Sequence, residues 1–340
     1  MNSNFDRWIL VTGGTGFVGI TLVKRLLGMG CSVRILTRGV PEDIRAELEE
    51  ALTSDSRLEW FNGKIWDMAG IEPAFAGVRY VFHLAALLNS VAPYAEFEKV
   101  NVTSTDNICQ LCLKYGVEQL FYLSTSDVFG LPLDGRVITE EAPYRSWNEP
   151  YADTKIKASQ LVKDYQSRGL VSTIIYSGWV YGPHDRAFFP ALLQQAKDGF
   201  ILLWDAGTFE INLVYVEDLV DGILLAMEND MAKNEDFMVF DDASNMHIAE
   251  IYHQLGVLFG LKYRTINIPY WLIFIIAWIS QGLCRMGLGK KPLLSTTDVK
   301  SFGFPFKFST AKARNKLGWK KNTAADEGIR LWAGWYRQSN

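Results

Sequence analysis

The sequence predicts an α/β fold built on a doubly wound parallel sheet, followed by a smaller, mostly helical carboxyl-terminal lobe. Up to about residue 180, short β-branched and aromatic runs alternate with longer helical patterns. Right-handed crossovers turn such an alternation into a parallel sheet covered on both faces. The first run ends in a glycine-rich turn that opens a helix, and beyond residue 180 the rhythm loosens. A chain of 340 residues can hold two domains, or one large domain with an appended lobe.

In order, the strand candidates are RWILVT, CSVRILT, RLEWFN, YVFHLA, LFYLST and VSTIIYS. Two later runs, INLVYVEDLV and DFMVF, are expected to return to the same sheet. With 34 basic against 38 acidic residues and no basic run, nothing supplies a nucleic-acid footprint. Four cysteines in so long a chain make no disulfide framework, and Cys109 and Cys112 lie in an apolar helical pattern that marks them as core. The amino end reaches a strand within a few residues and shows no signal-peptide pattern, so a cytoplasmic protein is expected.

Residues 268–286 stand apart. Their unbroken apolar core from Tyr270 to Ile279 is about half the ~20 residues that a spanning helix needs. The segment carries Tyr270, Trp271 and Trp278 and precedes Arg285, Lys290 and Lys291, a mixture that suits a helix lying at a membrane face. A lid helix over an apolar pocket is the alternative, and the two are compatible if the pocket opens toward lipid.

WILVTGGTGFVGITLVKRLL reads as strand, tight turn and helix. Its Gly13, Gly14, Gly16 and Gly19 permit close backbone approach, and the helix that follows offers free N–H groups to a pyrophosphate. This predicts a dinucleotide-binding Rossmann domain over 1–180 plus 211–244, with a substrate lobe over 181–210 plus 245–340. No metal site is expected. At the end of the second strand, where an acid would bind a ribose 2′-OH, stand Thr37 and Arg38. A guanidinium there suits a 2′-phosphate, so NADP(H) is favoured and NAD(H) is the alternative.

NEPYADTKIKASQ places Tyr151 and Lys155 four apart just after Pro150, on one face of a helix start. Alone, that spacing also fits an ordinary surface helix. Together with TGGTGFVG, HLAA (His83–Ala86), NVTSTDN (Asn101–Asn107) and STSDVFG, all in order, it resembles the extended short-chain dehydrogenase/reductase family nearly end to end. The resemblance implies a reaction centre of Thr125, Tyr151 and Lys155. Tyr151 would be the general acid/base, Lys155 the cation that favours the phenolate and holds the nicotinamide ribose, and Thr125 the hydrogen-bond partner of the reacting oxygen. It further implies cofactor contacts by Gly13, Gly14, Gly16, Phe17, Val18, Gly19, Arg38, Asp67, Ala85, Lys155 and Tyr176, and a homodimer built from two helices. Asn101 is either a fixer of local backbone and water or a structural asparagine, and His83 lines the cleft rather than acting as a base.

Departures from the family pattern narrow the chemistry. Lys64 stands where an acid often meets adenine, and Tyr176-Ser177 replaces the usual Arg-Pro before VYGP. Ile211 and Asn212 occupy the stretch where sugar-nucleotide members carry a diphosphate-gripping arginine. Asp127 resembles the acid of the dehydratases, though a turn residue at the strand end is the other reading. YGPHDRAFFPALLQQAKDG, IPYWLIFIIAW and FSTAKARNKLGW resemble the branch of 3β-hydroxysteroid dehydrogenases, sterol-4-carboxylate 3-dehydrogenases and 2-alkyl-3-oxoalkanoate reductases. The expectation is an NAD(P)-dependent oxidoreductase acting on an apolar, sterol-like or long-chain substrate. The alternatives are a nucleotide-sugar epimerase or 4,6-dehydratase, and a non-catalytic NAD(P)-binding protein.

Overall fold

The computed structural model describes residues 8–339 except 89–91, 131–135, 205–206, 209–210, 243–245, 289–295 and 302–306. Lys290 and Lys291 lie outside the described residues.

Six strands fall where the alternation put them: β1 (Trp8–Thr12), β2 (Ser32–Thr37), β3 (Arg57–Asn62), β4 (Val78–His83), β5 (Gln119–Thr125) and β6 (Ser172–Ser177). Between them run α1 (Phe17–Gly28), α2 (Glu42–Glu50), α3 (Met68–Ile71), α4 (Tyr94–Phe97), α5 (Ser104–Tyr115) and α6 (Pro150–Ser167). The second half holds β7 (Trp179–Tyr181), α7 (Phe188–Lys197), β8 (Phe200–Leu203), β9 (Leu213–Tyr215), α8 (Val216–Glu228) and β10 (Asp236–Val239). It closes with α9 (Ile248–Phe259), β11 (Arg264–Asn267), α10 (Tyr270–Arg285), α11 (Thr296–Ser301) and α12 (Ala325–Ser339).

The main sheet has seven strands in the order β10-β6-β5-β4-β1-β2-β3, every neighbouring pair parallel. Because helices cover both faces, its inner strands are mostly buried, which explains their nearly continuous apolar runs. The order reverses between β1 and β4, and in such sheets the ligand crevice opens there, beyond the carboxyl ends of the strands. Cys109 and Cys112 are fully buried in this core, where burial pushes both thiols up.

DFMVF joins the sheet as β10, but INLVYV does not. Residues Leu213–Tyr215 pair instead with Trp179–Tyr181 in a separate two-stranded sheet. The strand ends after three residues because helix α8 begins at Val216, with Glu217 and Asp218 favoured in its first turn. Gly178 lets the two chains meet: a Cβ there would sit 2.1 Å from the Asn212 oxygen, the acceptor for the Trp179 amide.

A second apolar cluster gathers Phe189, Leu193, Trp204, Leu255, Ile273 and Trp332 from α7, α9, α10, α12 and their loops. Phe308, Leu317 and Trp319, from the carboxyl-terminal stretch, pack into the first cluster around the main sheet.

Candidate active site

Thr125 is the last residue of β5, and α6 begins beside it with Pro150 in its first turn. Tyr151 and Lys155 lie one turn apart on that helix. The Thr125 side chain is within hydrogen-bond reach of both the Tyr151 phenol and the Asp127 carboxyl. Its neighbour Ser124 is occupied elsewhere, its hydroxyl 2.8 Å from that of Ser159. Thr125, unlike Ser124, has its hydroxyl on the side of Tyr151 and Asp127.

Lys155 is buried; its ammonium donates to the Leu123 carbonyl at 2.6 Å and lies 4.2 Å above the Tyr122 ring. Burial brings its pKa down to about 7. Tyr151 differs from the sequence expectation. Burial, and then the charge of Asp127, push the phenol well above its ordinary range, against a lowering hydrogen bond with Thr125. Lys155 was expected to favour the phenolate, but in this arrangement its cation is turned toward Leu123 and Tyr122. Tyr151 thus keeps its proton, the form that donates to a ketone oxygen.

Asp127 is the residue whose role the sequence left open. Its backbone N–H, not its carboxyl, makes the turn, donating to Thr125 Oγ1 at 3.2 Å. The carboxyl sits with Thr125 and Tyr151, and burial pushes it up to about 6. An acid with a raised folded pKa is bound without cost when protonated and carries a desolvation penalty once charged. Asp127→Asn should therefore match the wild type in thermal stability near pH 4. Above pH 6 it should exceed the wild type by on the order of 2 kcal/mol. Melting curves at the two pH values would refute this if the difference were equal at both.

His83 is fully buried between the hydroxyls of Thr12, at 2.7 Å, and Thr105, at 3.0 Å. Burial, with the Lys155 charge, lowers its pKa to about 3, so it stays neutral and structural. Asn101 accepts from the Leu87 amide at 2.7 Å and donates to Thr154 Oγ1 at 3.1 Å. It ties the loop after β4 to the catalytic helix.

The glycine turn is shaped for a dinucleotide. Gly13 has φ +74°, and a Cβ there would lie 2.8 Å from the Ala85 nitrogen, which brings Ala85 against the turn. Gly16 is the N-cap of α1 and offers no side chain to its N–H groups, which leaves them for a phosphate. Phe17 and Val18 are partly exposed at the helix start, whereas Gly14 and Gly19 are buried under the turn. The residues present fit the dinucleotide at the pyrophosphate.

Arg38 is exposed after β2, with its guanidinium 5.7 Å over the Trp66 ring; Lys99 lies 4.8 Å over the same ring. Neither Trp66 nor Lys99 was singled out from sequence, since only the fold brings them to Arg38. Asp67 caps α3 by accepting from the Gly70 amide at 3.2 Å. Tyr176 is not brought to the group. It is fully buried, with its hydroxyl bonded to those of Tyr144 and, at 3.0 Å, to Asp236.

The family model described as "NAD dependent epimerase/dehydratase family" matches residues 9–239 of the chain. A 3beta-hydroxysteroid-dehydrogenase/decarboxylase isoform 2 of Arabidopsis thaliana is 29% identical over 96% of this chain, which spans 61% of that relative's length. A 4-hydroxy-2-methyl-3-oxo-4-farnesyl-3,4-dihydroquinoline-1-oxide ketoreductase of Stigmatella aurantiaca is 26% identical, over 94% of this chain and 93% of its own. Among solved structures, the Thermus thermophilus UDP-glucose 4-epimerase complex with NAD superposes with a TM-score of 0.75 at 22% identity, covering 98% of this chain and all of that one. At that identity the likeness speaks to the fold.

Proposed function

The chain belongs to the NAD dependent epimerase/dehydratase family, and on that premise we propose an NAD(P)-dependent oxidoreductase that interconverts a secondary alcohol and a ketone on an apolar, sterol-like or long-chain lipid. The observation that carries this reading is the Thr125–Tyr151–Lys155 constellation in a chain that lacks the diphosphate-gripping arginine. Ile211 is buried in the second apolar cluster and the neighbouring Asn212 carries no charge, so neither position supplies a cation. A sugar diphosphate buried without cations would be costly, whereas an apolar substrate needs none. The steroid and quinoline relatives support the same substrate class.

A bound nicotinamide dinucleotide would supply the two-electron carrier, with the Gly13–Gly19 turn on its pyrophosphate. Thr125 would hold the reacting oxygen, and Tyr151 would deliver its proton during reduction and, as the phenolate that this leaves, would take the proton back during oxidation. Lys155, buried and with its pKa lowered to about 7, would hold the nicotinamide ribose and favour loss of the phenol proton.

For the cofactor, NADP is preferred because Arg38 and no acid follows β2. Arg38→Ala should weaken NADP binding about 10-fold or more and leave NAD binding little changed, the size expected for lost hydrogen bonds to a charged group. Titration of both cofactors checks it; an unchanged NADP-to-NAD ratio would reject the preference. A homodimer through two helices, and contact of residues 268–286 with a cytoplasmic membrane face, complete the proposal.

Asp127 beside Tyr151 favours a second reading, a sugar-nucleotide 4,6-dehydratase or epimerase, because a carboxylate there could take a proton from carbon. The deciding experiment follows nicotinamide absorbance while the protein meets sterols, 3-oxo lipids and sugar nucleotides. Lipid-dependent change supports the oxidoreductase. Consumption of sugar nucleotides without net cofactor change supports the second reading.

A further inference from the structure

The helix α10 carries apolar side chains on both its buried and its exposed face, yet only one side is used inside the protein. Ile273, Ala277 and Gln281, four apart, form its buried stripe. On the opposite face Trp271, Ile275, Trp278 and Ile279 follow helical spacing and are exposed, the two tryptophans by 63% and 67%, and the capping residue Met286 beyond them is exposed too. Large exposed aromatic side chains aligned in one patch mark a surface that is covered in use. At 16 residues, or ~24 Å, the helix cannot cross a hydrocarbon layer of ~30 Å, and among the described residues no helix is long and apolar enough to do so.

Charge says what covers it. The whole chain is acidic, with a net charge of −4, but from Ile251 to Leu288 it contains no aspartate or glutamate and carries Lys262, Arg264 and Arg285. Lys262 and Arg264 are exposed on the approach to the helix, next to Ile266, which is also exposed. Asp198, which precedes the Gly199 carbonyl that binds the Arg264 amide, is engaged by Gln194. An apolar aromatic face beside acid-free basic residues complements an anionic bilayer surface.

The buried edge of the same helix leads to the reaction centre. Thr296 Oγ1 lies 2.9 Å from Gln281 Oε1 on α10 and 2.9 Å from Glu149 Oε1. Glu149 is the N-cap of α6, two residues before Tyr151, and Lys300 of α11 holds the same carboxylate at 3.2 Å. We propose that the exposed face of α10 seats on an anionic lipid bilayer, so that membrane-dissolved substrate reaches Tyr151 past a helix polar-bonded to the catalytic one. The inference rests on the apolar-substrate reading.

The test is flotation of the full chain with phosphatidylcholine vesicles, with and without phosphatidylglycerol. Wild type should float with the anionic vesicles and release as salt is raised. Trp271→Ser/Trp278→Ser should bind at least 10-fold more weakly, and Lys262→Glu/Arg264→Glu should lose the preference for phosphatidylglycerol. Retained NADP(H) binding shows that both variants fold. Wild type that ignores vesicles, or variants that bind like wild type, would overturn the proposal. So would a fall in oligomeric mass with the tryptophan changes, which would make this face a contact between copies. Flotation is read without turnover, so a chain that docks yet oxidises no lipid would refute the substrate class and leave the docking standing.

Discussion

Tyr151→Phe is expected to lower turnover at least ~100-fold while leaving NADP(H) affinity within about twofold of wild type. The change deletes one oxygen and keeps the ring, so the pocket keeps its shape. What is lost is the phenol proton within reach of Thr125, whose side chain would otherwise share the substrate oxygen with the phenol. Near-normal turnover in Tyr151→Phe would remove Tyr151 from the chemistry. A matched fall in cofactor affinity would instead mean that the tyrosine acts by positioning the dinucleotide. Because burial and Asp127 hold the phenol protonated, the variant should lose ketone reduction over the whole neutral pH range rather than on one limb of a profile.

Much of this was legible in the sequence because the signals are local. A parallel strand buried on both faces writes a continuous apolar run, so β1 to β6 could be placed within two residues, and Pro150 marked the start of α6. INLVYV misled for a related reason: an apolar run fixes that a segment is buried, not which strand it pairs with. The reaction centre was legible only as a set of residues. That Thr125 meets both Tyr151 and Asp127 is a tertiary fact, since 24 residues of sequence separate β5 from α6. The same holds for Lys155, whose turn toward Leu123 depends on strand geometry. Trp66 and Lys99 left no signal, because an exposed lysine between Glu98 and Val100 has no pattern of its own. Tyr176 shows the opposite error of reading along the chain: it precedes a motif near the site, yet its side chain leaves the strand toward Tyr144.

Gly19→Ala should both destabilise the protein and weaken dinucleotide binding by at least ~100-fold, although helix propensity argues the reverse. Gly19 lies inside α1, and an alanine in a helix interior is worth about 1 kcal/mol over glycine. Here the added Cβ would stand 2.0 Å from the Gly13 oxygen and 2.7 Å from the Gly14 Cα. Those are backbone atoms of the turn itself, so no side chain can rotate aside. Relief requires the turn and the helix start to separate, which costs about 1–3 kcal/mol of packing and displaces the N–H groups meant for the pyrophosphate. Gly28→Ala supplies the control from the same helix, since nothing lies within 4 Å of a Cβ there. It should melt no lower than wild type and bind cofactor unchanged. Thermal melts and cofactor titrations of the two variants therefore separate the terms: if Gly19→Ala behaved like Gly28→Ala, close helix-to-turn packing would not be what shapes the phosphate site.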